Sequence, residues 1–452
     1  MFGKCISAGK ILVLSGALVT VFAVPANSAS GGDLMYYYDL ALKNDAQLKS
    51  AEYESQATRE TLQQAYAGLL PKINGELSYS RTNQDVKSSD NKVYAAGSTD
   101  YNTKSYGITL TQPLFSYASF LGVGQAESVL KRSALELEKT RQDLALRVAE
   151  AYMGVLLSQD ELAAVGAEES AVEMLYTRAK ERAASGMAPI TDSYDAEARL
   201  AAVRAQRVDD ENALRDAYQA LTEICGVAAQ EIKPLKDEIP LTQPSPINID
   251  NWTDAGLKQN LEILIQKLKA EIAEKEVKRQ ESAHYPTADF QFDYTNKDTS
   301  GSLFGGGSNT TNYDFMVKLD IPLYGGGFTV SKTREATSLY QSALQGLTNQ
   351  NRVAERKVRS TYNGVVSAMT RVAAMEKSMN AQKMVVEAKE EGLKAGLYIS
   401  LAVLDAMQDL YKYKREYSKA RNDYILNSLR LKHTVGTLYQ DELVSLNALL
   451  KD

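Results

Sequence analysis

Few side chains in this sequence have the types and spacing that covalent chemistry needs. His284 and His433 are the only histidines, and neither has a second histidine or a cysteine at ligand spacing. Cys5 and Cys225 are the only cysteines, and Cys225 lies at a predicted helix end, where a small buried side chain is typical. The sequence also lacks a nucleophile motif, a phosphate-binding loop and a metal-ligand cluster. It therefore predicts a protein that is not an enzyme and needs no cofactor or metal.

Two aspartates stand out because each follows a glycine-containing turn between predicted helices. Gly186 precedes Thr191 and Asp192, and Gly396 precedes Asp405. Neither aspartate has a paired acid or base nearby in the sequence, so acid–base catalysis is not indicated. Asp192 is suited to capping a helix N-terminus, and Asp405 is suited to a solvated helix face.

Long helices must hold these turns. Residues 118–185 contain no proline, and a helix of that length would span about 100 Å, which is far more than a compact core can surround. The segment after Gly396 has apolar residues seven apart, which is a coiled-coil repeat sustained over four heptads. Its members are Val403, Leu410, Tyr417, Tyr424 and Leu431.

The chain repeats itself. Gly186 and Gly396 are 210 residues apart, and so are Gly226 and Gly436. Such self-similarity indicates an internal duplication. We expect a first structural repeat over 30–245 and a second over 246–452. Each repeat contains, in order, a helix, a β-hairpin, a long helix, a tip turn (185–191 and 393–400) and a return helix. A proline-rich crossover over 230–246 ends the first repeat, and we expect it to pack outside the helices beside the C-terminal tail.

Apolar and polar residues alternate over 72–115 and 287–324, which predicts two β-hairpins. Phe292 and Phe315 fall on the apolar face, whereas Asp289 and Asp293 fall on the polar face. An ordinary half-buried sheet is one interpretation. Strands of about ten residues in a secreted chain also fit a membrane barrel. Because four strands cannot close a barrel and open edges are not tolerated in lipid, several copies would share one barrel, and a trimer would supply twelve strands.

Residues 1–29 combine lysines, a short apolar run and small residues, which predicts a secretory signal peptide. A membrane anchor is the alternative, but the apolar run is shorter than a full span. The formal net charge is −6. An acidic chain is a poor candidate for binding nucleic acid.

Several motifs together resemble the TolC family of outer-membrane efflux and type I secretion ducts. They are Gly392–Gly396, Val403–Ala406, Ala420–Tyr424, Gly436–Leu438, Leu69–Pro71 and Leu110–Phe115. The resemblance implies a homotrimer in the outer membrane. Its long antiparallel coiled-coil helices form a periplasmic α-barrel, and four strands per protomer contribute to a shared twelve-stranded β-barrel. It also implies a periplasmic adaptor (membrane fusion) protein and an inner-membrane pump or ABC transporter as partners.

The resemblance assigns roles to particular positions. Acidic residues past the glycine turns line the narrowest part of the periplasmic entrance in this family, and they correspond here to Asp192 and Asp405, with Thr191 beside the first. Where known members place a Tyr and an Arg that tie the tips shut, this chain has Leu393 and Tyr398, and a further acidic position is Ala402. The tip turns correspond to Gly186, Gly396, Leu393 and Tyr398, and the barrel-to-helix transitions to Pro71, Pro113, Pro286 and Pro322.

The function predicted from this resemblance is a passive export duct, opened at its periplasmic tip. A non-conducting scaffold that spans the periplasm is the alternative. Drug efflux and protein secretion share this fold, so the sequence does not identify the exported cargo.

Overall fold

The structure is a computed structural model that describes residues 32–88, 97–302 and 306–451. The predicted signal peptide, residues 1–29, lies outside the described residues. The described helices are α1 (Leu34–Asn44), α2 (Ala46–Ala67), α3 (Tyr117–Ala184), α4 (Ile190–Cys225), α5 (Ile249–Gln259), α6 (Leu261–Glu281), α7 (Phe328–Lys394), α8 (Ser400–Val435) and α9 (Gln440–Asn447). The described strands are β1 (Lys72–Val86), β2 (Gly97–Phe115), β3 (Thr287–Thr299) and β4 (Ser308–Asp320).

Two long helical hairpins dominate the molecule. Helix α3 has 68 residues and packs antiparallel on α4, and α7 has 67 residues and packs on α8. At 1.5 Å per residue the longer helix of each hairpin extends about 100 Å. Each repeat therefore carries its turn at the far end from the sheet. None of the described helices is both long and apolar enough to cross a membrane.

The first helix of each repeat is interrupted, which the sequence pattern did not predict. Asp45 separates α1 from α2, and Asn260 separates α5 from α6. Both residues have φ −58° and ψ 121°, a ψ that ends helical geometry. Each residue then caps the helix that follows it. Asp45 Oδ1 accepts a hydrogen bond from the N–H of Leu48 at 2.7 Å, and Asn260 Oδ1 accepts one from the N–H of Ile263 at 3.0 Å. A single polar residue thus divides a segment that apolar periodicity alone predicts to be one helix.

The four strands form one antiparallel sheet in the order β1-β2-β3-β4. The pairing of β2 with β3 joins the two repeats. Ile73, Leu110, Phe292 and Phe315 are register partners, so one face of the sheet is apolar. The next register row, on the opposite face, contains Asn74, Thr109, Asp293 and Asp314. The predicted separation of apolar and polar side chains between the two faces is confirmed.

Two apolar clusters stabilise the helices. The larger cluster packs α1 and the end of α4 against α3, α7, α8 and α9, with Leu144, Tyr152 and Leu443 fully buried. The smaller cluster lies nearer the tips and includes Val165 and Val172 of α3, and Val403 and Leu404 of α8. Since its members come from both hairpins, apolar burial joins the two repeats near the tips.

The crossover and the C-terminal segment run beside each other. Leu235 bridges Leu450, the N–H of Lys236 donates to Leu449 O at 2.9 Å, and the N–H of Lys451 donates to Pro234 O at 2.8 Å. Gly32 bridges Ile232 in the parallel sense. Together these segments form a belt, residues 32, 232–236 and 449–451, against the middle of the helical region.

Candidate functional site

The first tip turn, between α3 and α4, is closed by backbone hydrogen bonds. Gly186 has φ +71°, a left-handed conformation that favours glycine. Its N–H donates to Ala183 O at 3.1 Å, and the N–H of Met187 donates to Arg182 O at 2.8 Å. This pair of bonds is the Schellman motif, which satisfies the last carbonyls of a helix. The glycine is therefore required by the geometry of the turn.

The second tip turn, between α7 and α8, repeats that geometry and adds a ring contact. Gly396 has φ +78°, its N–H donates to Leu393 O at 3.1 Å, and the N–H of Leu397 donates to Gly392 O at 2.7 Å. A Cβ added to Gly392 would lie 2.4 Å from Cδ2 of Tyr398. The Tyr398 ring thus covers Gly392, and Leu393 packs against the smaller apolar cluster. Tyr398 and Leu393 are turn-building residues of their own hairpin.

The predicted entrance residues lie within two helical turns of the tips. Asp192 is in the first turn of α4, beside the exposed Thr191. The N-cap of α4 is Pro189, so the capping role predicted for Asp192 is wrong, although a carboxylate in a first turn still interacts favourably with the helix dipole. Asp405 is exposed on the second turn of α8. The two carboxylates are staggered, because the position in α8 that matches Asp192 is Ala402.

Large apolar side chains are exposed at both tips. Met187 and Leu397 are 73 % and 79 % exposed, and Ile190, Tyr194 and Ile399 are also exposed. Exposed apolar patches mark places where proteins meet other surfaces. The surface that each tip presents is therefore an apolar rim with isolated acidic groups.

The prolines predicted at the barrel-to-helix transitions lie at strand ends. Pro71 and Pro286 directly precede β1 and β3, and Pro322 follows β4. Pro113 is inside β2, where the register with β3 shifts between Pro113 and Phe115. Proline lacks the N–H that a sheet needs, so it belongs at strand starts and bulges. The second transition is longer, with Gly326 and Gly327 at positive φ before α7.

A buried ion triad near the tips was not predicted from the sequence. Glu168 of α3 is 3 % exposed, and its two carboxylate oxygens accept bonds from Arg199 of α4 at 2.8 Å and Arg415 of α8 at 3.0 Å. The signal was present, since Glu168 lies three residues after the buried Val165 and four before the buried Val172. An acidic residue on the apolar stripe of a coiled coil indicates a buried ionic partner.

Cys225 and the two histidines lie in positions where they support the fold. The Cys225 thiol is buried and donates to Tyr37 O at 3.5 Å, and burial raises its pKa to about 11, so it is a poor nucleophile. His433 bonds to Asp143 at 2.7 Å between α8 and α3. His284 ends a short 3₁₀ turn before β3. Within residues 32–88, 97–302 and 306–451, no group of three potential metal ligands comes together.

The fold and the site define a class: a channel protein whose helical hairpins extend far from a sheet with an apolar face. Residues 37–227 and 252–437 match the family model described as outer membrane efflux protein. The chain belongs to this family of outer-membrane channels and lies in the outer membrane.

Similar proteins agree with this placement. The chain is 30% identical over 442 residues to the outer membrane protein TolC of Vibrio cholerae serotype O1, covering 97% of this chain and 98% of that protein. It is 26% identical over 434 residues to the proteases secretion protein PrtF of Dickeya chrysanthemi, covering 95% and 94%. Among solved structures, the Campylobacter jejuni CmeC outer membrane channel superposes with a TM-score of 0.76 at 18% identity, covering 92% of this chain and 90% of that one. The protein is thus an outer-membrane efflux or secretion duct, and the predicted family and fold class are confirmed.

Proposed function

We propose that three copies of the chain form one passive duct, which opens at the helical tips and carries substrates delivered by a periplasmic adaptor and an inner-membrane pump or ABC transporter. The observation that carries this proposal is the sheet. Strands β1 and β4 are its edges, and its apolar face, including Leu77 and Phe315, is exposed. Open strand edges are not stable in lipid, so β1 of one copy pairs with β4 of the next.

Three copies of four strands give twelve, which lies in the range of membrane barrels. The same threefold axis gathers the tips, with three copies each of Asp192 and Asp405. Carboxylate rings in a narrow passage attract cations and repel anions. The apolar rim beside them gives an adaptor a surface to bury.

Mass measurement in detergent tests the assembly. We expect a stable trimer, because the edges of the sheet are satisfied only between copies. A stable, folded monomer would rule the shared barrel out.

Single-channel recording in planar bilayers tests conduction and the entrance together. Wild type should conduct with cation selectivity and be blocked by trivalent cations, which bridge carboxylates of different protomers. Asp405→Ala should lower both selectivity and block, with the trimer mass unchanged. An Asp192→Ala/Asp405→Ala double variant with wild-type selectivity and block would show that these residues are surface charges only. A trimer that never conducts would instead favour the scaffold.

A further inference from the structure

The buried triad of Glu168, Arg199 and Arg415 connects two hairpins that have few other polar links. Glu168 and Arg199 belong to the α3–α4 hairpin, and their bond of 2.8 Å holds that hairpin together. Arg415 belongs to α8, so its 3.0 Å bond to Glu168 crosses from the second hairpin to the first. The carboxylate is 3 % exposed, and charge-assisted bonds are strongest where water is excluded.

A second bond lies one helical turn away. Tyr411 precedes Arg415 by four residues, so both side chains lie on the same face of α8. The Tyr411 hydroxyl donates to Ala167 O at 3.2 Å. Consecutive residues of α3, Ala167 and Glu168, therefore receive bonds from one face of α8. We call Glu168, Arg199, Arg415 and Tyr411 the clamp.

The position of the clamp distinguishes it from the other links between the hairpins. The bonds Arg430–Glu150, His433–Asp143 and Gln142–Gly436 all lie further from the tips. Between the clamp and the tips, no hydrogen bond or ion pair among the described residues joins the two hairpins. Contact there is apolar, through Val172, Leu175, Val403 and Leu404. Apolar contact is not directional, so it resists sliding less than ionic bonds do.

We propose that the clamp is the fulcrum of opening: the second hairpin swings away from the first on the tip side of the clamp, while the helices on its sheet side stay joined. This inference rests on the proposed function, a duct that opens at its tips. From Ser400 to Tyr411, the clamp residue of α8 nearest the tip, the moving part of α8 is about 17 Å long. Glu168 and Arg199 both belong to the first hairpin, so Arg415 supplies the ionic bond of the clamp that joins the two hairpins.

Arg415→Met is the variant that tests the fulcrum. Methionine keeps most of the side-chain volume, and the Glu168–Arg199 pair remains neutral, so no buried charge is left unpaired. Without Arg415 the ionic link nearest the tips becomes Arg430–Glu150, and the moving segment lengthens. We expect the channel open time to increase about tenfold, the effect of losing one charge-assisted bond. Tyr411→Phe should act in the same direction and more weakly.

Arg204→Met is the matched control. Arg204 bonds Glu169 and Glu173 at 3.0 Å each, one residue beyond the clamp, but only inside the first hairpin. Its loss should leave the open time unchanged. Equal open times for wild type and Arg415→Met, or an equal increase in the control, would overturn the fulcrum.

A distance measurement separates the fulcrum from conduction. Spin labels at Met187→Cys and Leu397→Cys mark the two tips, in labelled chains diluted with unlabelled ones. The buried, high-pKa Cys225 does not compete for the label. Arg415→Met should broaden and lengthen the tip-to-tip distance, and Arg204→Met should not. If Arg415→Met broadens the distribution of tip-to-tip distances but the protein never conducts, the duct is refuted and the fulcrum stands. If the distribution is unchanged in a protein that conducts, the fulcrum alone is refuted.

Discussion

The two helical hairpins have the same shape but are stabilised by different bonds. Helices α4 and α8 both have 36 residues, and both tips use a Schellman turn. In the first hairpin, Arg204 and Arg207 of α4 bond to Glu169 of α3. In the second, Arg371 of α7 pairs with Glu416 of α8, and Gln382 and Lys389 of α7 donate to the backbone carbonyls of Ala406 and Ala402. The two hairpins therefore share helix length, an apolar seam and a glycine turn, whereas the polar contacts between their helices differ.

The strands of the two repeats offer the largest contrast. Phe315 lies in an apolar register row with Phe292 and Leu110. Its counterpart in the first repeat is Tyr106, because each lies seven residues before the proline of its strand end (Pro322 and Pro113), and Tyr106 shares a row with Asn296. Phe315→Arg should therefore destabilise the assembled protein by about 2–4 kcal/mol, as expected near a bilayer midplane. Tyr106→Arg should cost less.

Urea unfolding of the assembled protein compares the two strand variants. Normal assembly of Phe315→Arg would argue that this strand lies outside the membrane or that its register is inverted. Equal losses for both variants would contradict the assigned difference in depth.

The tip glycines test the similarity of the hairpins. Gly186→Ala and Gly396→Ala each force a Cβ into left-handed backbone, which costs about 1–2 kcal/mol. Since both turns are closed by the same Schellman pair of hydrogen bonds, we expect equal losses of thermal stability, followed by circular dichroism. Unequal losses would indicate that the Tyr398 ring, present in one tip only, contributes to the turn.

The bonds between helices should differ in strength. Gln382→Leu removes a hydrogen bond to a backbone carbonyl, and we expect a loss of about 0.5–1.5 kcal/mol. Arg204→Gln removes bonds at the surface, and exposed ion pairs contribute about 0–1 kcal/mol. High salt should reduce the second effect and leave the first unchanged in thermal unfolding. The reverse salt dependence would exclude the assignment.

The smallest effect concerns Glu161, which belongs to the first repeat. Burial, followed by the charge of Asp210, raises the pKa of Glu161, although Lys419 and Arg415 act in the opposite direction. Because the folded pKa is raised, the folded state is favoured at low pH, and this advantage is lost as pH rises through that pKa. Glu161→Gln should therefore stabilise the protein at pH 7 and have little effect well below the ordinary carboxyl pKa.

Thermal unfolding at several pH values checks this prediction. Glu197→Gln, which removes an exposed carboxylate on α4, is the control for the loss of a surface charge. A destabilising Glu161→Gln at neutral pH would mean that Glu161 makes a favourable bond as the anion.

Periodic features of this fold could be predicted from the sequence, and isolated features could not. Heptads gave the long helices, alternation gave the strands, and the spacing of Gly186 and Gly396 gave the repeat. Interruptions at Asp45 and Asn260 were missed, because a single capping residue does not change a period. The partners of Glu168 were missed for another reason. Arg199 and Arg415 lie on other helices, so only the packing of three helices brings them together.

The positions of the tips could be predicted, but their contacts could not. Glycine at a left-handed turn is a local requirement, and it was recognised from the residue type. The packing of the Tyr398 ring on Gly392 depends on how the chain leaves the turn. That contact becomes evident only when both residues are placed in three dimensions.

The belt has a consequence for the order of folding. Its bonds join residues about 200 positions apart: Gly32 to Glu231, and Lys451 to Pro234. Contacts between residues so distant in sequence form late, because a large loop must close first. The helical hairpins are more local and can form earlier, but the belt is complete only when residues 449–451 have been synthesised. A chain that ends before them would form its coiled coils but would lack the pairing of Leu235 with Leu450, which would leave Leu235 accessible to proteases.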